Sequence, residues 1–349
     1  MHSMKVDQEI RAALGNWRSI VKSYSKPNHR LAIGQILNTF LPFIAIWTIM
    51  YFSLDWSYWI TLSLAIVNGF FLSRLFIIQH DCGHQSFFKS RRWNNLVGYI
   101  CSFFTSIPYE YWSRVHNYHH GHVGQLEHRD VGDINFLTVE EFRRKSWWGR
   151  LGYRIFRHPI FLFGFVPVIY LAVSNRYPFF QFKGWGNILK SQLYNNLVLL
   201  SVYILLAILL GWKAFLLVQI PVLLSFGIIA FWFFYVQHQH EKTYMQWKDN
   251  WDHLLASIKG STYYKLPKLF QWLTGNIGYH HIHHLNSKIP NYLLEKCAKE
   301  NPILQKYVST LTWRESLKCI FANLWDEERQ KMISFREFYR MEKEVASDS

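Results

Sequence analysis

The chain has 349 residues, half of them hydrophobic and 18% aromatic, and its 38 Lys and Arg against 23 Asp and Glu give a formal net charge of +15. The apolar residues lie in long blocks rather than at helical or strand periodicity, which argues against soluble domains. Lys and Arg flank those blocks and alternate with Trp and Tyr, as in "RRKSWWGRLGYRIFRHP" at 143–159; this fits a helix lying on an anionic lipid surface and sets nucleic acid aside as a partner.

Residues 1–32 are polar and mixed in charge, show no secretory signal, and read as a cytoplasmic N-terminal segment. Four apolar blocks follow, at 33–54, 57–78, 193–212 and 214–236. Each gives roughly 30 Å of helix at ~1.5 Å per residue, enough to cross a bilayer. Arg74 is the one ionisable residue inside them and, near a helix end, is expected to snorkel. Two shorter apolar runs, 96–108 and 160–173, are too short to span comfortably and read as interfacial or re-entrant.

Six Lys and Arg precede the first block, 14 fall in 79–192 and 16 follow residue 236. These all lie on one side of the membrane, which the positive-inside rule assigns to the cytoplasm. The expectation is an all-α integral protein of the cell (plasma) membrane, multi-pass, with both termini cytoplasmic. Its four transmembrane helices would form two hairpins beneath a cytoplasmic helical cap drawn from 79–192 and 237–340. Residues 33–340 would make a single membrane domain, followed by a tail at 341–349 whose last residues, "VASDS", read as disordered. Cys82, Cys101, Cys297 and Cys319 show no CxxC spacing and are expected to stay reduced.

The 17 histidines are the most informative feature. His80 and His84 lie in "HDCGH", His116, His119 and His120 in "HNYHH", and His280, His283 and His284 in "HHIHH"; His238 and His240 follow the fourth block in "QHQHEKTY". On a helix, residues three and four apart share a face, while the neighbouring histidine of each HxxHH is turned by about 100° and can reach a second ion. Eight or nine convergent imidazoles exceed the three or four that one zinc takes, whereas two ions with four or five ligands use all of them. Imidazole alone does not select among Zn, Cu, Fe and Ni. A metal transporter should carry His, Asp or Glu inside its spans, and these blocks contain none.

"HDCGHQSFF", "HNYHHGHVGQLEHRDVGDI", "QHQHEKTY" and "GNIGYHHIHHLNSKIPNY" together resemble the membrane-bound fatty acid desaturases, most closely the bacterial, bacillus-type acyl-lipid and phospholipid desaturases. The resemblance runs from about residue 33 to about 340. It implies a non-haem di-iron oxidoreductase that uses O2 and two electrons to place a cis double bond in a saturated acyl chain of a membrane lipid. A lipid hydroxylase or oxygenase of the same superfamily is the alternative. By this resemblance the ligands of two Fe ions are His80, His84, His116, His119, His120, His280, His283 and His284, with His238 as the ninth. Close relatives carry an aromatic residue where this chain has His240, so the choice between His238 and His240 stays open at this level. Asp130, Asp133, Glu241 and Asn276 are candidates to hydrogen-bond the ligands or a bound water. No haem domain, flavin fingerprint or CxxC cluster is present to supply electrons, and a basic cytoplasmic face suits an acidic ferredoxin- or flavodoxin-like donor.

Overall fold

The structure is a computed structural model that describes residues 2–347. The four apolar blocks form its four longest helices: His29–Ser53, Tyr58–Gly83, Ile188–Leu210 and Trp212–His238. Each is apolar on all sides, as expected of a helix surrounded by lipid and other spans. Their burial differs: the second span has 56% of its apolar window buried and the third only 11%, so the second is central and the third peripheral. The Asn28 side chain caps the first span by accepting from the amides of Arg30 and Leu31. Gly211, at φ +82°, makes the turn between the third and fourth spans, a conformation that costs glycine little. The second and fourth spans pack closely because Gly69 lacks a Cβ, which would lie 2.6 Å from Ser225 Cβ.

The second and fourth spans run past the apolar blocks, to Gly83 and His238. Polar residues continue these helices because other parts of the chain cover them: Gln79, His80, Asp81 and Cys82 are all buried. Arg74 departs from expectation. It does not snorkel; it is 5% exposed and lies over the Trp272 ring, 4.2 Å from its centroid. The guanidinium donates to Thr39 Oγ1 at 3.1 Å and to the carbonyl of Trp272. Acceptors within the protein replace the water that snorkelling would have reached.

The two ambiguous runs are helical. The first lies in Arg91–Thr105, an amphipathic helix that buries Gly98 and Cys101 and exposes Trp93, Leu96 and Ile100. The second, Phe161–Ser174, is bent by 58° from Trp147–Phe156. Arg157 sits at the bend, buried, and donates to Tyr235 Oη, Gln239 Oε1 and the Ala322 carbonyl, each at 2.7 Å, tying the bend to the fourth span and the C-terminal region.

Short strands add to the helical pattern. Leu137–Thr138 pairs in parallel with Leu324–Asp326, which pairs antiparallel with Lys331–Ile333; Thr262–Lys265 pairs in parallel with Ser309–Thr312. With two to four residues each, they carry too little alternation to be read from sequence. The tail is also more ordered than expected: Val345–Ser347 end the helix Phe335–Ser347, held by Phe338 against Phe142 and by Arg143 to Glu342 at 2.8 Å. Asp348 and Ser349 lie outside the described residues. The four cysteines are buried and free.

Candidate metal centre

Four helices deliver the histidines to one place. His80 and His84 come from the end of the second span, and His238 is the last residue of the fourth. His116, His119 and His120 lie on Tyr109–His122, and His280, His283 and His284 on the short helix His280–Leu285. All nine are at most 8% exposed.

They sort into two groups. One nitrogen from each of His80, His84, His116, His120 and His283 lies within 4.8 Å of the others, and so does one from each of His119, His238 and His284. His280 joins the second group, its Nε2 2.9 Å from that of His238 and 3.1 Å from that of His284. Each HxxHH is therefore divided. The pair four apart shares a group, and the histidine between them in sequence crosses to the other: His119 leaves His116 and His120, and His283 leaves His280 and His284. At about 100° per residue i+4 lies about 40° to one side of i and i+3 about 60° to the other, so i+3 and i+4 diverge by about 100° and reach different groups.

The outer ring nitrogens fix the tautomers. Asp81 Oδ1 accepts from His80 Nδ1 at 2.9 Å, Asn117 Oδ1 from His84 Nδ1 at 2.8 Å, and the Gly260 carbonyl from His238 Nδ1 at 3.1 Å. Asp133 Oδ1 stands 3.0 Å from His119 Nδ1. With the proton on Nδ1, Nε2 of these rings carries a lone pair that points into the group. Burial, then the neighbouring imidazoles, hold His116, His120, His280, His283 and His284 well below the usual histidine range, so they are neutral at pH 7. Among the described residues, Nε2 of His80, His84 and His119 has no hydrogen-bond partner. Buried lone pairs converging in this way repel one another unless a cation lies between them, so the donor set fits metal ions.

The other sequence candidates fall elsewhere. His240 is buried but belongs to neither group. Asp130 bonds Asn135 Nδ2 at 2.6 Å at the surface. The Glu241 side chain is 70% exposed, near Lys331. Asn276 occupies a turn at φ +57° with its amide toward the Asn291 carbonyl. Of Asp130, Asp133, Glu241 and Asn276, Asp133 alone approaches a ring nitrogen of the nine. Asp81 and Asn117 were missed, although each directly follows a histidine of the motifs. Asp81 holds the ring of the histidine it follows, whereas Asn117 follows His116 but holds His84 on another helix, a pairing that no local spacing encodes. His122 and His128 make a separate contact with Tyr118, whose hydroxyl is 2.8 Å from His128 Nδ1.

A cavity of about 690 Å³ ends at His80, His116 and His280. It passes Trp112 and Tyr170 and extends between the second and fourth spans at Ser73, Phe226 and Gly227. Its wall is mostly aromatic and aliphatic, and its size is that of a ligand site, typically about 300–1,000 Å³. Gly227 lines it where the fourth span packs closely on the bent helix: a Cβ there would lie 2.9 Å from Pro167 Cβ.

Helices long enough to cross a membrane, two buried imidazole groups able to hold metal, and an apolar cavity ending at them define a membrane enzyme that acts on an apolar chain. Residues 56–314 match the fatty acid desaturase family, and the chain belongs to it. It is an oxidoreductase of fatty acid metabolism. The chain is 41% identical to a fatty acid desaturase of Bacillus subtilis (strain 168) over 330 residues, 94% of this chain and 93% of the relative. It is 26% identical to an sn-1 oleoyl-lipid 12-desaturase of Picosynechococcus over 80% of each chain. It is 27% identical to an endoplasmic reticulum omega-3 fatty acid desaturase of Vigna radiata, over 67% of this chain and 62% of the relative.

Proposed function

We propose that the enzyme places a cis double bond in a saturated acyl chain of a membrane phospholipid or other acyl-lipid, using O2 and two electrons at two iron ions. The observation that carries this reading is the division of nine buried imidazoles into groups of five and four at the end of an apolar cavity. His80, His84, His116, His120 and His283 would hold one iron, and His119, His238, His280 and His284 the other. Iron bound there supplies the oxidising chemistry that an unactivated C–H bond demands. The acyl-lipid substrate is supported by the Picosynechococcus relative, an sn-1 oleoyl-lipid 12-desaturase.

The chain's own contribution is placement. Asp81, Asn117 and the Gly260 carbonyl orient the rings, and burial keeps water from the reacting carbons. A methylene is worth ~0.8 kcal/mol against water, but a lipid tail already lies in hydrocarbon, so that gain nearly cancels. Position along the chain must then come from the shape of the cavity, which Trp112, Tyr170 and Phe226 help to line, and from contacts to the polar end.

In the membrane, spans one and two would form one hairpin and spans three and four another, with 79–192 and 237–340 as a cytoplasmic cap of a single domain over 33–340. The plasma membrane, cytoplasmic termini and an acidic ferredoxin- or flavodoxin-like donor follow from the same charge asymmetry. The test is mass spectrometry of lipids from cells with and without the gene, and with His80→Ala, followed by location of the double bond. A monounsaturated chain, two hydrogens lighter and lost with His80→Ala, is expected. A chain heavier by one oxygen would instead identify a hydroxylase.

A further inference from the structure

Four of the nine ring systems have a partner at or near their outer nitrogen, and these partners differ in access to solvent. Asp81 and Gly260 are buried, and Asp133 lines the cavity. Asn117 is exposed. It accepts from His84 Nδ1 at 2.8 Å and donates to the Ser113 carbonyl at 2.7 Å and the Gly83 carbonyl at 3.2 Å. One carboxamide thus separates an imidazole of the five-histidine group from the surface.

The surface around His84 is built from three segments laced together. The Asn28 amide donates to Tyr292 Oη at 3.0 Å, Tyr292 Oη donates to the Phe87 carbonyl at 3.0 Å, and Asn286 Nδ2 donates to Ser25 Oγ at 2.8 Å. Lys288 Nζ donates to the His84 carbonyl itself at 2.5 Å. Residues 25–30, 84–95 and 286–292 contain Lys26, Arg30, Lys89, Arg91, Arg92 and Lys288 and not one Asp or Glu. Elsewhere on the cap, cations are commonly matched to carboxylates, as in Lys259–Asp7, Arg143–Glu342 and Lys331–Glu337. Among the described residues, none of these six forms an ion pair.

We propose that this carboxylate-free basic surface is where an acidic one-electron carrier protein docks, and that electrons enter through Asn117 and His84. The inference rests on the desaturase reading and adds to it the site of reduction. Each double bond consumes one O2: two carriers are each oxidised by one electron, two protons come from solvent, two hydrogens leave the acyl chain, and two waters form. Six unpaired cations steer an acidic partner, and Lys288 fixes the His84 backbone beneath it.

The test uses the full-length enzyme in nanodiscs and a purified acidic [2Fe–2S] ferredoxin, with affinity measured as a function of salt. The wild type should bind more weakly as salt rises. Lys26→Glu/Lys89→Glu should lose roughly tenfold in affinity and flatten the salt dependence, with metal content unchanged. Arg314→Glu/Lys318→Glu, outside the three segments, should stay within about twofold. Equal affinity for the wild type and the first variant would overturn the proposal, as would equal losses in both variants. It would also be overturned if the first variant kept its ferredoxin affinity and instead lost binding to phosphatidylglycerol vesicles, which would assign the surface to lipid. Patch-dependent ferredoxin binding by an enzyme that makes no double bond with any donor would instead overturn the desaturase reading and leave the docking surface standing.

Discussion

Replacing Asp81 by alanine separates the anchoring of a ligand from the ligand itself. The carboxylate is buried and makes three contacts: 2.9 Å to His80 Nδ1, 2.6 Å to the Asn291 amide and 2.8 Å to Asn291 Nδ2. Asn291 Oδ1 in turn accepts from Gln35 Nε2 of the first span at 3.0 Å, so the network joins the first span, the second span and the start of the helix Asn291–Glu300 that follows the third histidine motif. Asp81→Ala strands two buried Asn291 donors, at about 1–3 kcal/mol each, or roughly 2–6 kcal/mol of stability. Loss of the acceptor on a ligating ring typically costs ~10–100-fold in metal affinity. Asp81→Asn should lie between: its oxygen can serve one donor, but its NH2 then faces another. Metal content after dialysis against graded chelator reads the first effect, and unfolding monitored by tryptophan fluorescence reads the second. If Asp81→Ala holds metal within twofold of the wild type and unfolds at the same midpoint, Asp81 does not anchor the site and the reasoning fails.

Three further outcomes follow from the geometry. Gly227→Val narrows the cavity against Pro167 and should remove most of the activity while metal content stays at the wild-type level; undiminished turnover would show that the acyl chain takes another route. Gly69→Ala drives a methyl against Ser225 and should cost about 1–3 kcal/mol, read as a lower thermal midpoint in detergent. Metal-free protein should lose stability in acid. Burial holds His116, His120 and His283 well below the range of an unfolded imidazole, so between pH 7 and 8 these groups bind little proton in either state and stability changes little. Below about pH 6.5 only the unfolded state takes up protons, at ~1.4 kcal/mol per pH unit for each such group. A thermal midpoint equal at pH 7.5 and 5.5 would contradict this assignment.

The spans could be read because hydropathy over 20 residues is a strong signal, but their ends could not: the apolar count stops at Ile78 while the helix runs on to Gly83. The histidine spacing was legible for the same reason, since i and i+4 share a face whatever the tertiary setting. The side-chain direction of Glu241 is not legible in the sequence, because the fourth span ends at His238 and Gln239 leaves helical geometry at φ −109°, so spacing beyond it no longer reports direction. Arg74 was misjudged because its acceptors, Thr39 and Trp272, come from other parts of the chain. The 58° bend at Arg157 depends on contacts to residues 78 to 165 positions away, which no local pattern encodes.

The division of each HxxHH between the two groups has a consequence for assembly. Tyr109–His122 and His280–Leu285 each supply both groups, so an ion captured by either one orders helices that the other also needs. The entropy of fixing those helices is spent at the first binding event, and the second proceeds on a preformed frame. Loading should therefore be cooperative, with empty and doubly filled protein dominating a titration and the singly filled form scarce. Loss of one ion would loosen the grip on its neighbour, so chelation should strip the pair together.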